Sequence, residues 1–305
     1  MVSVEEYKDP DFSHLHPSAQ TVARLPAAQR IDRIRADRWI GYPKAVAAVD
    51  RLETLLRWPR KQRMPNLLLI GPTNNGKSMI IERFRRQHLP TTEPDREHIP
   101  VLCVQMPSEP SPLRFYTAIL AALGAPLRAR PRVVELEHLA LSLLREVGVQ
   151  MLVIDELHNV LAGRGGLRRE FLNLLRFLGN ELRIPLVGVG TREAYLAVRS
   201  DDQLENRFEP FVLPTWEADE KTRSLLASFA AAFPLHQPSL IDTDDMARYL
   251  LARSEGTIGE LAQLLTTAAV AAVESGIEAI DHRTLTLADY TGPSERRRLF
   301  ERELL

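Results

Sequence analysis

Eight consecutive residues, Gly71, Pro72, Thr73, Asn74, Asn75, Gly76, Lys77 and Ser78, satisfy every fixed position of the pattern G-x-x-x-x-G-K-[ST]. That spacing serves phosphate chemistry. Glycines at both ends let the backbone curl until successive N–H groups face phosphate oxygens. A helix starting near Lys77 aims its positive end at the same point. The Lys77 ammonium then reaches the β- and γ-phosphates, and the Ser78 hydroxyl coordinates magnesium. Met79, directly after the motif, is counted with the nucleotide-binding residues. A second group lies at Met151 to Glu156, an apolar run ending in two carboxylates. Asp155 is suited to hold magnesium opposite Ser78, and Glu156 to polarise an attacking water as general base. Two acids also suit a helix start, but beside a phosphate motif the catalytic reading wins. ATP and Mg2+ are the expected ligands.

Two further residues are open to two readings each. Thr191 follows the apolar run Leu186 to Val189. It could orient the attacking water near the γ-phosphate, or cap the next helix. Arg207, in the stretch Asp201 to Pro210, lies between a helix and a final strand. Its permanently charged fork could neutralise transition-state charge on a neighbouring subunit's nucleotide, or pair with Glu205 or Glu209.

These groups need a scaffold. Asn66 to Ile70 is a short apolar run entering the glycine-rich turn, as expected for a buried parallel strand. Similar runs occur at Val101 to Gln105, Met151 to Ile154, Leu186 to Val189 and Phe211 to Leu213. Helical spacing covers Lys44 to Arg57, Met79 to His88, Pro112 to Leu123, Val133 to Val147 and Leu167 to Leu182. Alternating strands and helices predict an α/β fold, a mostly parallel sheet with helices on both faces. After Pro214 the patterns at Ala218 to Ala232, Asp244 to Arg253 and Thr257 to Ser275 are all helical, predicting a small all-helical domain. The expected division is an N-terminal extension (1–37), a nucleotide-binding domain (38–214), a helical lid (215–283) and a charged tail (284–305).

Composition narrows the class. Hydrophobic residues are 45% and charged residues 26% of the 305, ordinary for a globular chain. No apolar run approaches the roughly 20 residues that cross a bilayer, and the start is acidic and polar, unlike a secretory signal. The single cysteine, Cys103, lies in a strand-like setting and cannot form an internal disulfide, so the cytoplasm is the expected compartment. Net charge is −1, which does not mark the whole molecule as a polyanion binder. Arginines do cluster at Arg128, Arg130 and Arg132, at Arg164, Arg168 and Arg169, and at Arg296 to Arg298. They can track phosphates or pair with surface acids.

Taken together, both nucleotide motifs, the Thr191 strand end, the segment NRFEPFVLP and the trailing helices resemble an AAA+ P-loop ATPase of the initiator-like branch. The stretches RADRWIGYPKA, LLLIGPTNNGKS, LVIDELHNVLAG and VGVGTREAYLAV resemble more narrowly the TniB family, related to TnsC regulators of transposition. The resemblance implies that Trp39, Ile40, Gly41 and Tyr42 pack beside the adenine. It makes Arg207 the arginine finger between subunits and Thr191 the sensor-1 residue. It also implies assembly on duplex DNA as a ring or helical filament, with a TniA-like transposase and a TniQ-like targeting protein as partners. DNA contacts would come from the loops Gln105 to Arg114 and Ala162 to Arg169, which nominates Arg114, Arg164 and Arg168. The sequence departs from many relatives at Gly256 to Glu260, where the lid turn carries no sensor-2 arginine; slow or partner-stimulated hydrolysis is the expectation. Other readings are an initiator or helicase loader, for which 284–305 is too short to hold an origin-binding module. A STAND-type switch would need repeat domains, and a small-molecule kinase would need a substrate pocket under its lid.

Overall fold

The computed structural model describes residues 11–93, 96–127 and 129–303. Arg128, and the ends of the expected extension and tail, lie outside the described residues. In chain order, helices α1 (Pro17–Ala23), α2 (Ala27–Arg35) and α3 (Pro43–Leu56) lead to β1 (Asn66–Ile70) and α4 (Lys77–Gln87). A short antiparallel pair, β2 (Thr91–Glu93) and β3 (Arg96–His98), precedes β4 (Val101–Gln105), α5 (Pro112–Ala122) and α6 (Val133–Glu146). Then come β5 (Met151–Asp155), a 3-10 turn (Leu157–Ala162), α7 (Gly165–Leu182), β6 (Leu186–Gly190), α8 (Arg192–Arg199), α9 (Asp202–Glu205) and β7 (Phe208–Val212). The rest is helical: α10 (Glu220–Ala232), α11 (Asp244–Ser254), α12 (Ile258–Glu274), α13 (His282–Leu287) and α14 (Pro293–Glu303).

The chain divides into two compact units. The first, Gly41–Pro214, is built on a five-stranded sheet in the order β4-β5-β6-β1-β7, with every neighbouring pair parallel. Alternation along a strand sends successive side chains to opposite faces. Leu68 and Ile70 therefore join Phe115, Tyr116, Phe171 and Leu175 in one core, while Leu67 and Leu69 face the other way, where α4 lies against β6. All five β1 residues are buried, and each leucine contributes about 2 kcal/mol by leaving water. Helix starts follow local chemistry: Ser111 accepts the Arg114 amide at α5, with Pro112 in the first turn.

Two expectations need correction. The last strand begins at Phe208, not Phe211, and contains Pro210. A proline is tolerated there because β7 is an edge strand, hydrogen-bonded to β1 alone. The stretch up to Ile40, expected as a separate extension, instead belongs with Thr215 onward in the second unit, as does the tail. Arg30 of α2, 3% exposed, binds both carboxylate oxygens of Glu278 at 2.7 and 2.6 Å, and the Pro234 carbonyl at 3.0 Å. The His16 amide donates to the Ala231 carbonyl at 2.8 Å. Within this unit Asp219 and Thr243 cap α10 and α11 through their side chains. No single helix among the described residues is long and apolar enough to cross a membrane.

Candidate functional site

Parallel register gathers the motif residues at one end of the sheet. Ile70 pairs with Gly190, so Gly71 and Thr191 leave neighbouring strands side by side, and the Gly71 amide donates to the Gly190 carbonyl at 3.2 Å. Ile154 pairs with Gly188, which places Asp155 and Glu156 one strand further on. Asn74 and Gly76 both take left-handed backbone, φ +58° and +82°, and Gly76 is the N-cap of α4. Gly71 has no room for a side chain, because a Cβ there would meet the Leu213 carbonyl oxygen at 2.8 Å. Asn75, 2% exposed, pins the loop by donating to the carbonyls of Leu213 (3.0 Å) and Pro214 (2.9 Å). Its side chain is thus structural. Thr73, Asn74, Ser78 and Met79 are exposed and Pro72 is half-buried.

Lys77, 8% exposed, donates through Nζ to the carbonyls of Gly71 (2.9 Å) and Pro72 (2.6 Å), which uses two of its three donors. Burial holds this ammonium below the usual lysine value, against the pull of Asp155 and Glu156. An anion in the loop would reverse that penalty. Across from it the Ser78 hydroxyl donates to Asp155 Oδ2 at 3.3 Å, while Asp155 Oδ1 accepts the Glu156 amide at 2.8 Å. One hydroxyl and one carboxylate at that spacing are hard oxygen donors of the kind magnesium takes with phosphate. The left-handed turns of the loop, the buried lysine with one donor left and this oxygen pair fit a triphosphate with one divalent cation.

Glu156 has left-handed backbone, φ +56°, a conformation uncommon for glutamate that turns the chain sharply off β5. Its carboxylate lies 3.1 Å from His158 Nε2. The Nδ1 atom of His158 is buried with no hydrogen-bond partner among the described residues. The sequence reading passed over His158, although its D-E-x-H spacing put it two residues after Glu156. Thr191 occupies the N-cap position of α8 but makes no capping hydrogen bond. Its hydroxyl donates instead to Glu193, which holds that carboxyl below its usual value. Ile40 ends one unit, while Gly41 and Tyr42 begin the other. Tyr42 is 9% exposed, and burial pushes its phenol up to about 12. Burial likewise raises the Cys103 thiol to about 11.

Arg207 lies elsewhere. It precedes β7, whose register with β1 (Asn66 to Phe208, Ile70 to Val212) puts it at the opposite end of the sheet from the phosphate loop. The length of β1, about 13 Å at the usual strand rise, separates them. Neither anticipated ion pair forms: Glu205 pairs with Arg199 and Glu209 with Arg51. The Arg207 guanidinium donates to the neutral Asn180 side chain at 2.8 Å.

The two loops nominated for DNA come together at the ends of β4 and β5. A Cβ at Gly163 would lie 2.2 Å from Pro110, and Asn159 donates to the Met106 carbonyl at 3.3 Å. Arg114 and Arg164 are exposed and Arg168 is half-buried. At the sensor-2 position, Glu260 is buried and accepts from Tyr290 (3.0 Å) and Arg296 (2.6 Å) inside the helical unit.

The family profile described as "Bacterial TniB protein" matches residues 30–218. No curated protein sequence matches this chain closely enough to count as a relative. Among solved structures, the Orc1 protein of Aeropyrum pernix in complex with DNA is similar at a TM-score of 0.58 and 19% identity, over 87% of this chain and 68% of that one. Cdc6p of Pyrobaculum aerophilum is similar at 0.56 and 18%, over 82% and 68%. The Orc2 protein of Aeropyrum pernix, with ADPNP and ADP, gives 0.54 and 15%, over 83% and 69%. The shared fold is that of AAA+ P-loop ATPases.

Proposed function

The chain belongs to the TniB family, and from that premise we propose that it is an ATP-hydrolysing regulator of DNA transposition. In this reading it assembles on duplex target DNA when ATP is bound, as a ring or helical filament, and recruits or activates a transposase. Hydrolysis drives disassembly. The observation that carries the reading is the separation of Arg207 from the phosphate loop of its own chain, about 13 Å along β1. A subunit that cannot bring its own guanidinium to its own nucleotide needs a second copy to complete the site.

In this reading each residue of the site has its own part. Backbone amides of the loop after Pro72 and the remaining donor of Lys77 bind the triphosphate, and Ile40, Gly41 and Tyr42 flank the adenine. Ser78 and Asp155 hold magnesium. That ion, when bound, would supply positive charge to offset the negative charge that builds up on the phosphates. Glu156 orients a water and accepts its proton as the oxygen attacks the γ-phosphorus, giving ADP and phosphate. Thr191 must release Glu193 before its hydroxyl can turn to that water, which makes the Thr191–Glu193 pair a resting arrangement. Arg207 meets the transition-state charge on the neighbouring copy's nucleotide. Arg114, Arg164 and Arg168 have no side-chain hydrogen bond or ion pair among the described residues, so they are free to contact the DNA backbone. A TniA-like transposase, a TniQ-like targeting protein and a cytoplasmic setting complete the proposal.

Duplex binding tests it. With a slowly hydrolysed ATP analogue and magnesium, affinity for duplex DNA is expected to rise by about tenfold or more over the nucleotide-free protein. Replacing Arg164 and Arg168 by alanine together should weaken that binding on any sequence and lower the slope of log K against log salt by about 2. Binding indifferent to nucleotide contradicts the proposal.

A further inference from the structure

The end of the sheet away from the phosphate loop carries a second charged site. The Asn66 amide donates to the Arg207 carbonyl at 2.9 Å, the first rung between β1 and β7. That rung sets the segment before β1 beside the segment before β7. Between them is a cavity of about 770 Å³, lined by Trp58, Lys61, Arg63, Asp202, Asn206 and Arg207 among others. Of its three acids, Glu205 pairs with Arg199 and Glu209 with Arg51, while the Asp202 carboxylate has no ion pair among the described residues and offsets part of the positive charge. Behind it, Arg176 lies 3.7 Å from Asp201 and also bonds Asn173.

Arg63 and Arg207 are not neutralised in this way. Arg63 is exposed and has no hydrogen bond or ion pair among the described residues. Arg207 has the neutral Asn180 amide and no carboxylate within ion-pairing distance among the described residues. Burial lowers its hold on the proton, the Arg63 and Arg176 charges lower it further, and the Asp201 charge acts against them. Two guanidiniums that cannot discharge, facing one cavity, repel each other until an anion lies between them. The planar fork of each matches phosphate oxygens. The chain's own nucleotide cannot be that anion, because its loop is at the other end of β1.

We propose that Arg63 acts with Arg207 as a two-guanidinium clamp for the terminal phosphate of the nucleotide held by a neighbouring copy. This deepens the reading of Arg207 as a residue acting between subunits and rests on it. Sequence alone gave no sign of Arg63, which sits in the short basic stretch Arg60 to Arg63 before the strand.

The test uses the full-length chain with ATP, magnesium and duplex DNA. Arg63→Ala is expected to keep its melting temperature and to bind a fluorescent ATP analogue within about twofold of the parent when dilute, since no contact of its own site is lost. Its hydrolysis rate in the assembly should fall about tenfold, in kcat rather than KM, for loss of one charge-assisted contact in the transition state. Arg63→Lys should recover part of the loss, because the charge remains and the fork does not. Mixing Arg63→Ala subunits with Lys77→Ala subunits, which carry both guanidiniums but no bound nucleotide, should restore hydrolysis. Full activity in Arg63→Ala beside a strong loss in Arg207→Ala overturns the clamp and leaves the role of Arg207 standing. Full activity in both variants overturns the reading of Arg207 as well. Weakened nucleotide binding in dilute Arg63→Ala, or no rescue on mixing, places Arg63 in its own chain's site and also overturns the clamp.

Discussion

Glu156→Gln is expected to keep ATP bound and to slow its hydrolysis about a thousandfold. The substitution preserves shape and the contact with His158, whose Nε2 lies 3.1 Å away, because an amide oxygen still accepts there. It removes the basicity that takes the water's proton. The left-handed backbone at Glu156 is unchanged, so the chain's path off β5 and the position of Asp155 should hold. Lys77, which feels both acids, loses one negative neighbour, which favours a phosphate. Single-turnover hydrolysis measures the chemical step, and dissociation of labelled duplex measures the assembly. Slow turnover with long-lived complexes on DNA is the expected pair of results. Normal turnover would remove Glu156 from the chemistry, and lost ATP binding would make it a ligand rather than a base.

Arg207→Ala should have an effect of similar size by a different route. A guanidinium supplied to a phosphoryl transition state accelerates hydrolysis by about a thousandfold or more. Here the expected loss appears in the assembly, while an isolated subunit binds ATP as before. Arg207→Lys should restore little, because a point charge does not replace a planar fork. Stability should change little, since the side chain gives up one hydrogen bond to Asn180 at an exposed site. Rate measured against protein concentration checks this. The parent should accelerate as subunits associate, and the variant should not. A concentration-independent rate in the parent would mean that each chain completes its own site.

The sequence displayed some of this site openly and hid the rest for physical reasons. The phosphate loop is eight adjacent residues whose function depends on local backbone geometry, so it reads directly. Asp155 and Glu156 read almost as well, because an apolar run closed by two acids marks a strand end. Arg207 could be nominated but its action could not be decided, because that depends on which end of a parallel sheet it occupies. Only the pairing of Asn66 with Phe208 reveals this. The hydroxyl of Thr191 bonding Glu193 rather than capping α8 is a rotamer choice, invisible in a string of letters. Within the segment expected as an extension, Pro17 lies in the first turn of α1 and Pro26 at the N-cap of α2, where a missing N–H and a fixed φ suit a helix start. The pair β2 and β3 escaped notice because it is short and polar, without the apolar alternation that marks a buried strand.

The account stands on the claim that residues 71–78 hold ATP with magnesium. Retention of labelled ATP by the purified full-length chain, with magnesium or with a chelator, addresses this most directly, using Lys77→Ala as the partner sample. The parent with magnesium should retain nucleotide, chelation should weaken retention, and Lys77→Ala should bind at least about a hundredfold more weakly while remaining folded. Failure of the parent to retain ATP, or equal retention by Lys77→Ala, would contradict it.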